Sequence, residues 1–206
     1  MTRPIRPKST ETPTEGEAPP QEVAHAVIES MQRGQISALE EVFNLYGERV
    51  FGVCLGILGN RVDAEDASQE VFLRAFQQAA RFSGRSRFST WLLRLATNHT
   101  LNHAKAAKRR KRLSEPLLED ASSAGPAPDH GAIGGELREA IAELLQQIPL
   151  EQRQVLVLRE MEGLSYAELA EVFAVPIGTV TSRLIRGREK LRALVLESGI
   201  DTRDLG

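Results

Sequence analysis

With 206 residues, 26 Lys and Arg against 28 Asp and Glu, and a formal net charge of −2, the chain is long enough for one large or two small domains. It is too near neutrality to coat nucleic acid unaided. A single cysteine, Cys54, excludes an internal disulfide and suits a reducing cytoplasm, and no apolar run approaches the length of a membrane span or forms a signal-peptide core.

Residues 1–20 hold Pro4, Pro7, Pro13, Pro19 and Pro20 among Thr, Glu and Ser. Such a stretch buries too little apolar surface to offset its ordering entropy, and a disordered tail is expected. From Glu22 the pattern turns helical: Val23, Val27, Ile28 and Met31 recur at helix spacing until Arg33-Gly34. Ser37 and Glu40 have the spacing of a capping box. The helix they would open carries Leu39, Val42, Phe43, Tyr46, Val50, Val53, Cys54 and Ile57 on one broad face. Gly52 and Gly56 would let another helix approach closely, and Gly59-Asn60 ends the run.

A third helix is expected from about Asp63, with Val71, Phe72, Ala75 and Phe76 as its buried stripe. Asp66, Gln69, Glu70 and Arg74 lie mostly on the other side. Acids in a first turn favour the positive helix end, which accounts for Asp63, Glu65 and Asp66. It does not account for Gln69-Glu70 beside Arg74, so a face that docks a partner stands as the alternative.

The stretch from Arg81 to Arg112 concentrates positive charge. It holds ten cations and no acid, which leaves 16 cations against 28 acids elsewhere, a net −12. A loop over 82–90 mixes Phe82 and Phe88 with Ser83, Arg85 and Arg87, and Trp91 follows, a composition that stacks on unpaired bases and brackets their phosphates. Ser89-Thr90 would open a helix running to about Arg110, ending in the basic cluster Lys105, Lys108, Arg109, Arg110, Lys111 and Arg112, which suits a duplex backbone. A merely solvated basic face, with Trp91 and Leu92 as core, is the plainer account. Interleaved aromatics and the absence of acids favour nucleic acid over it. Residues 21–112 thus form a compact helical unit.

Residues 113–135 hold Pro116, Pro126, Pro128 and acids with no cation, the composition of a flexible acidic linker. Stretched, it would span roughly 75 Å, and as a coil roughly 26 Å. A second helical domain follows over 136–198, before a short tail at 199–206. Leu137, Ile141, Leu144, Leu145 and Ile148 mark one helix stopped by Pro149, and Val155, Leu156, Leu158 and Met161 mark the next. Ser165 and Glu168 make a capping box that opens a short helix. After the turn at 174–178 a longer helix carries Arg183, Arg186, Arg188, Lys190 and Arg192, the pattern of a helix-turn-helix. Val180, Leu184, Leu191 and Leu194 would face inward, leaving Thr181, Ser182, Ile185, Arg186 and Arg188 for a major groove. Five cations against one Glu favour DNA over a bland three-helix bundle.

Three motifs, in order, carry a resemblance: D-A-E-D-A-S-Q-E-V-F-L-R-A-F (63–76), R-F-S-G-R-S-R-F-S-T-W-L-L-R-L-A-T-N (81–98), and I-P-L-E-Q-R-Q-V-L-V-L-R-E-M-E-G-L-S-Y-A-E-L-A (148–170) leading into V-P-I-G-T-V-T-S-R-L-I-R-G-R-E-K-L-R. Over residues 35–196 the chain resembles the extracytoplasmic-function (ECF) sigma factors, the two-domain branch of the sigma-70 family. The resemblance implies an all-α fold: a sigma region 2 bundle and a sigma region 4 helix-turn-helix joined by a linker that threads the RNA path of the polymerase. It implies that Asp66, Gln69, Glu70 and Arg74 dock on the clamp helices of core RNA polymerase. Promoter −10 DNA would be met by Phe82, Ser83, Arg85, Arg87, Phe88, Trp91, Asn98, Lys105, Lys108, Arg109 and Arg110, with a flipped base captured in the loop and Asn98 at its pocket. The −35 element would be read by Thr179, Thr181, Ser182, Arg183, Ile185, Arg186 and Arg188.

Thr181 stands where many relatives have a cation, which implies a different −35 sequence, and Ser68 replaces a commoner aliphatic. No further C-terminal domain is expected, so the family habit implies a separate anti-sigma factor as regulator. A free-standing helix-turn-helix regulator is the competing reading; it needs neither the docking face nor the base-trapping loop. An enzyme is disfavoured. His99 and His103 have the i, i+4 spacing of metal ligands, but T-L-N between them lacks the Glu of a metalloprotease. No metal or other cofactor is expected, and the cytoplasm is the expected location.

Overall fold

The computed structural model describes residues 22–114 and 140–198, so the tail and C-terminal readings lie outside the described residues, as does the linker reading apart from 113–114, where the helix before it continues. Helices α1 (His25–Gln32), α2 (Ile36–Leu58), α3 (Arg61–Gln78) and α4 (Phe88–Ser114) make the first bundle, with a short 3-10 turn at Ala79–Arg81. The second comprises α5, helical over 140–146, then α6 (Leu150–Glu160), α7 (Tyr166–Phe173) and α8 (Ile177–Ser198). No strand occurs among the described residues.

The first core is the α2 stripe Val42, Tyr46, Val50 and Cys54 against Val71, Phe72 and Ala75 of α3 and Phe88, Leu92 and Ala96 of α4. Phe43 departs from the face expected of it: one residue beyond Val42 it is turned about 100° round the helix, and it is 48% exposed. Helix ends depart too. Helix α2 begins at Ile36 with Gln35 as an uncapped N-cap, so Ser37 sits inside the first turn and makes no capping box. Its C-terminus behaves as read, with Gly59 left-handed at φ 82°. Helix α3 starts at Arg61, two residues early, because the Asn60 side chain accepts from the Asp63 amide at 2.8 Å and caps it.

The second core gathers Leu145, Ile148, Val155, Leu156, Leu158, Leu169, Val172, Val180, Leu184 and Leu194. The Ser165–Glu168 capping box forms with both of its bonds. Ala174 ends α7 in the left-handed region (φ 52°), an uncommon conformation for a residue with a Cβ, and makes the tight turn into α8. Tight packing of α8 on α6 follows from Gly187: a Cβ there would lie 3.4 Å from the Gln152 carbonyl oxygen.

The two bundles touch. Val53 and Ile57 of α2 and Leu93 of α4 belong to the second core cluster. Helix α6 crosses α2 where Gly52 and Gly56 make it shallow; a Cβ at Gly56 would sit 3.1 Å from a Val157 methyl carbon, and one at Gly52 3.2 Å from the Met161 methyl.

Candidate nucleic-acid interface

On α3, Asp66, Gln69, Glu70 and Arg74 are all exposed, and Arg74 pairs with Glu70 at 3.1 Å. A surface pair of this kind adds little stability. Beside them lies a feature absent from the sequence reading. Ile36 (69% exposed), Phe43 and Leu73 (52% exposed) form an apolar groove with Leu39, Phe72 and Gln69. A second depression, bounded by Phe43, Gly47, Phe51, Glu65 and Gln69, continues it between α2 and α3. The phase of Phe43, one residue off the buried stripe, is the signal that could have found it.

The loop between the 3-10 turn and α4 is pinned from α1, where the Gln32 side-chain amide donates to the carbonyls of Ala79 (3.3 Å) and Phe82 (3.0 Å). Gly84 takes φ 69°, and Ser83 and Arg85 stand in solvent. The aromatics pack on one another: Phe82, Phe88 and Trp91 have ring centroids 5.4 Å apart in each pair, and Tyr46 lies 5.8 Å from Phe88. Phe88 is only 2% exposed and is thus the floor of this cluster, while Phe82 and Trp91 are half-buried. Helix α4 starts at Phe88, so Ser89 does not cap it as expected. Instead Glu22 reaches across: its carboxylate accepts from the Ser89 amide at 3.3 Å and from the Ser89 hydroxyl. An acid at the positive end of α4 is favourable. The hydroxyl of Tyr46 donates to Glu22 at 3.4 Å, and burial with that neighbouring acid pushes its pKa up to about 12.

Along α4, Arg94, Asn98, Asn102 and Lys105 form an exposed stripe continuing from Trp91. Lys108, Arg109 and Arg110 extend the same helix, of which the backbone alone is described there. On another side of this helix, His103 lies 3.8 Å from Asp63. Burial and Arg74 lower the pKa of His99. No group of three potential metal ligands occurs among the described residues.

In α8, Ile185 is 52% exposed and Arg186 is open to solvent, its guanidinium donating to the Ser182 carbonyl at 3.1 Å. Thr181 donates back to Ile177 at 3.0 Å and Ser182 to Thr179 at 3.0 Å. Thr179 is half-buried at the entry of the helix. Arg183 and Arg188 are not free cations. Arg183 pairs with Glu151 with only 18% of its side chain exposed, and Arg188 pairs with Glu160 at 2.7 Å. Both acids come from α6, so the scaffold that carries the helix also fixes two of its arginines.

Comparison with known proteins matches residues 42–110 to Sigma-70 region 2 and residues 138–191 to Sigma-70, region 4. The chain is 34% identical to the RNA polymerase sigma-H factor of Pseudomonas aeruginosa over 83% of its length and 93% of that protein. It is 31% identical to the ECF RNA polymerase sigma factor SigW of Bacillus subtilis (80% and 92%) and 32% identical to the ECF sigma-E factor of Haemophilus influenzae (81% and 92%). Two solved structures share the fold: CnrH in complex with the cytosolic domain of CnrY (TM-score 0.60, 21% identity, covering 82% of this chain and 95% of that one) and the sigma factor RpoE with the anti-sigma factor NepR from Bartonella quintana (TM-score 0.62, 20%, 76% and 95%). With both sigma regions matched in order, and α7–α8 forming the helix-turn-helix of region 4, the chain belongs to the ECF sigma factors of the sigma-70 family, transcription-initiation factors and not enzymes.

Proposed function

We propose that the chain joins core RNA polymerase through the trough between α2 and α3, and that the holoenzyme then reads promoter DNA at two places. The observation that carries this is the exposed Asp66–Gln69–Glu70–Arg74 stripe running beside exposed Phe43 and Leu73. An apolar groove rimmed by acids suits a helical partner with basic and aliphatic faces, and a DNA-binding protein acting alone has no use for it.

At the −10 element, Phe82 and Trp91 offer half-exposed rings while Phe88 supports them from below. Ser83, Arg85, Arg87, Asn98, Lys105, Lys108, Arg109 and Arg110 contact the strand and its phosphates. Unstacking a base costs a few kcal/mol, and stacking on an aromatic returns about 1–3 kcal/mol, so melting follows from trapping the open strand without ATP. In the −35 reader, Thr179, Thr181, Ser182, Ile185 and Arg186 meet the groove, with Arg183 and Arg188 held at its edge. Phosphate contacts set the register and base contacts specify the promoter.

No helix among the described residues is long and apolar enough to cross a membrane. The cytoplasmic location belongs to the same proposal, since it is where a partner of core RNA polymerase acts. An anti-sigma factor is its regulator; the fold neighbours CnrH and RpoE were each solved with such a partner or a cytosolic domain bound. Run-off transcription with core polymerase on genomic promoter fragments tests the reading. Specific starts that depend on added chain support it; tight duplex binding by the chain alone, with no association to core enzyme, would favour the free-standing regulator.

A further inference from the structure

The base-trapping loop is fastened near its two ends and left open between them. At its entry, the Gln32 side-chain amide donates to the Ala79 carbonyl at 3.3 Å and to the Phe82 carbonyl at 3.0 Å. At its exit, the Glu22 carboxylate accepts from the Ser89 amide at 3.3 Å and from the Ser89 hydroxyl, at the positive end of α4. Between these points Ser83, Gly84, Arg85 and Ser86 make no hydrogen bond to any described residue.

Both fastenings come from one short element. Glu22 precedes α1 and Gln32 ends it, and α1 is itself seated in the first core by Ile28 (6% exposed) and Met31 (1% exposed). The Tyr46 hydroxyl secures the same segment, accepting from the Val23 amide at 3.0 Å and donating to Glu22 at 3.4 Å. Its ring lies 5.8 Å from Phe88, the floor of the aromatic cluster. Arg87, by contrast, pairs with Glu168 of the other bundle at 2.5 Å. Glu22 and Gln32 hold the loop from within its own domain, and both precede the stretch 42–110 that matches Sigma-70 region 2.

A loop that must close on an unstacked base gains from ends fixed beforehand, because ordering it on contact subtracts from affinity. Phe82 shows where this matters. Its carbonyl is held by Gln32, while its ring lies 5.4 Å from both Phe88 and Trp91.

We propose that Glu22 and Gln32 are positioning residues for promoter opening: they fix the exit and the entry of the 82–90 loop, so that its aromatic and basic side chains stand ready for the unpaired −10 strand. What the loop captures rests on the function proposed above; the bracing is a property of the chain alone. The sign of the effect separates a brace from a mere charge. An acid beside a phosphate-contacting loop repels the strand, so as a charge alone Glu22 would weaken binding and its loss would strengthen it. As a brace, its loss weakens binding.

The test uses the full chain with Glu22→Met and Gln32→Met, singly and together, which keeps side-chain length and removes the acceptor or the donor. Trp91 is the single tryptophan, so its fluorescence reports on the loop. In the free chain, acrylamide quenching of Trp91 should rise about twofold in the double variant, with helicity unchanged. In complex with core polymerase, affinity for a labelled single-stranded oligonucleotide from the −10 region of a mapped start site should fall about tenfold. Affinity for the −35 duplex and for core enzyme should stay as in the parent. Glu22→Gln, which keeps an acceptor oxygen, should restore most of the binding lost in Glu22→Met. The proposal is overturned by unchanged strand affinity in the double variant, by stronger strand binding in Glu22→Met, or by a loss shared equally with the −35 duplex. Should the double variant lose helicity, Gln32→Met alone decides, since that side chain is exposed. A parent that captures no strand and starts no transcript with core enzyme counts against the sigma reading itself, and the quenching then decides the brace by itself.

Discussion

The faces proposed to work on the two domains are built in opposite ways. On α3 the polar stripe is open, bordered by exposed Phe43 and Leu73, and its one internal pair joins neighbours four residues apart on the same helix. On α8 two of the arginines are tied to Glu151 and Glu160 of another helix, 32 and 28 residues away. A protein partner can supply its own order to a loosely arranged face with an apolar hollow. A groove reader gains from arginines already set in place, because ordering a long side chain on binding costs about 0.5–1.5 kcal/mol each.

The largest effect should come from spoiling the open face. Phe43→Arg places a charge in the trough, and with Glu70→Arg it should lower affinity for core polymerase by at least about a hundredfold, roughly 2.7 kcal/mol, with the melting temperature little changed. Fluorescence anisotropy against core enzyme reads this directly. An equal loss on Arg186→Ala, which lies on the other face, would erase the distinction between docking and reading.

Next in size is the buried arginine that joins the bundles. Truncating Arg153 to Ala removes its donors from the Ile148 carbonyl and from the Ile57 carbonyl, which keeps only a long contact from Gln146 at 3.5 Å, and should cost about 2–3 kcal/mol in urea unfolding. Smaller again is Glu160→Gln. Freeing Arg188 should change stability by less than about 1 kcal/mol, since the pair is exposed. It should also make binding of a −35 duplex more salt-dependent, because a released cation can take up a phosphate. An unchanged salt slope would mean that Arg188 is a scaffold residue.

How much of this could be read from residue order divides along contact distance. The helices follow from apolar spacing, and the Ser165–Glu168 box, the Gly59 stop and the close approach at Gly52 and Gly56 follow from local chemistry. What could not be read are the links between distant residues: Glu22 on Ser89, Glu168 on Arg87, Glu151 on Arg183. Periodicity carries no information on which acid meets which arginine across the fold. Phe88 was misplaced for a related reason. The loop ends and a helix begins at that residue, so the phase that would mark it as inward starts only there.

The last effect concerns acid. Glu168 is partly buried, which by itself pushes its carboxyl up, but hydrogen bonds from Arg87 and Ser165 outweigh this and hold it at about 2, below its ordinary 4.5. Because the folded value is depressed, the charged form stabilises the fold fully above about pH 4.5, and that contribution is lost as pH falls from there toward 2. Glu162 has the opposite sign: burial raises it despite Arg49, so its protonation relieves the interface as pH falls. Comparison with Glu168→Gln separates the two, since Glu162 is common to both chains. The stability gap between parent and variant should stay level from pH 8 to about 5 and close below 4.5. A gap that stays unchanged down to pH 2 would mean that the carboxyl is not depressed and that the Arg87–Glu168 clasp does not hold in solution, and with it the contact between the two domains would lose one of its direct links.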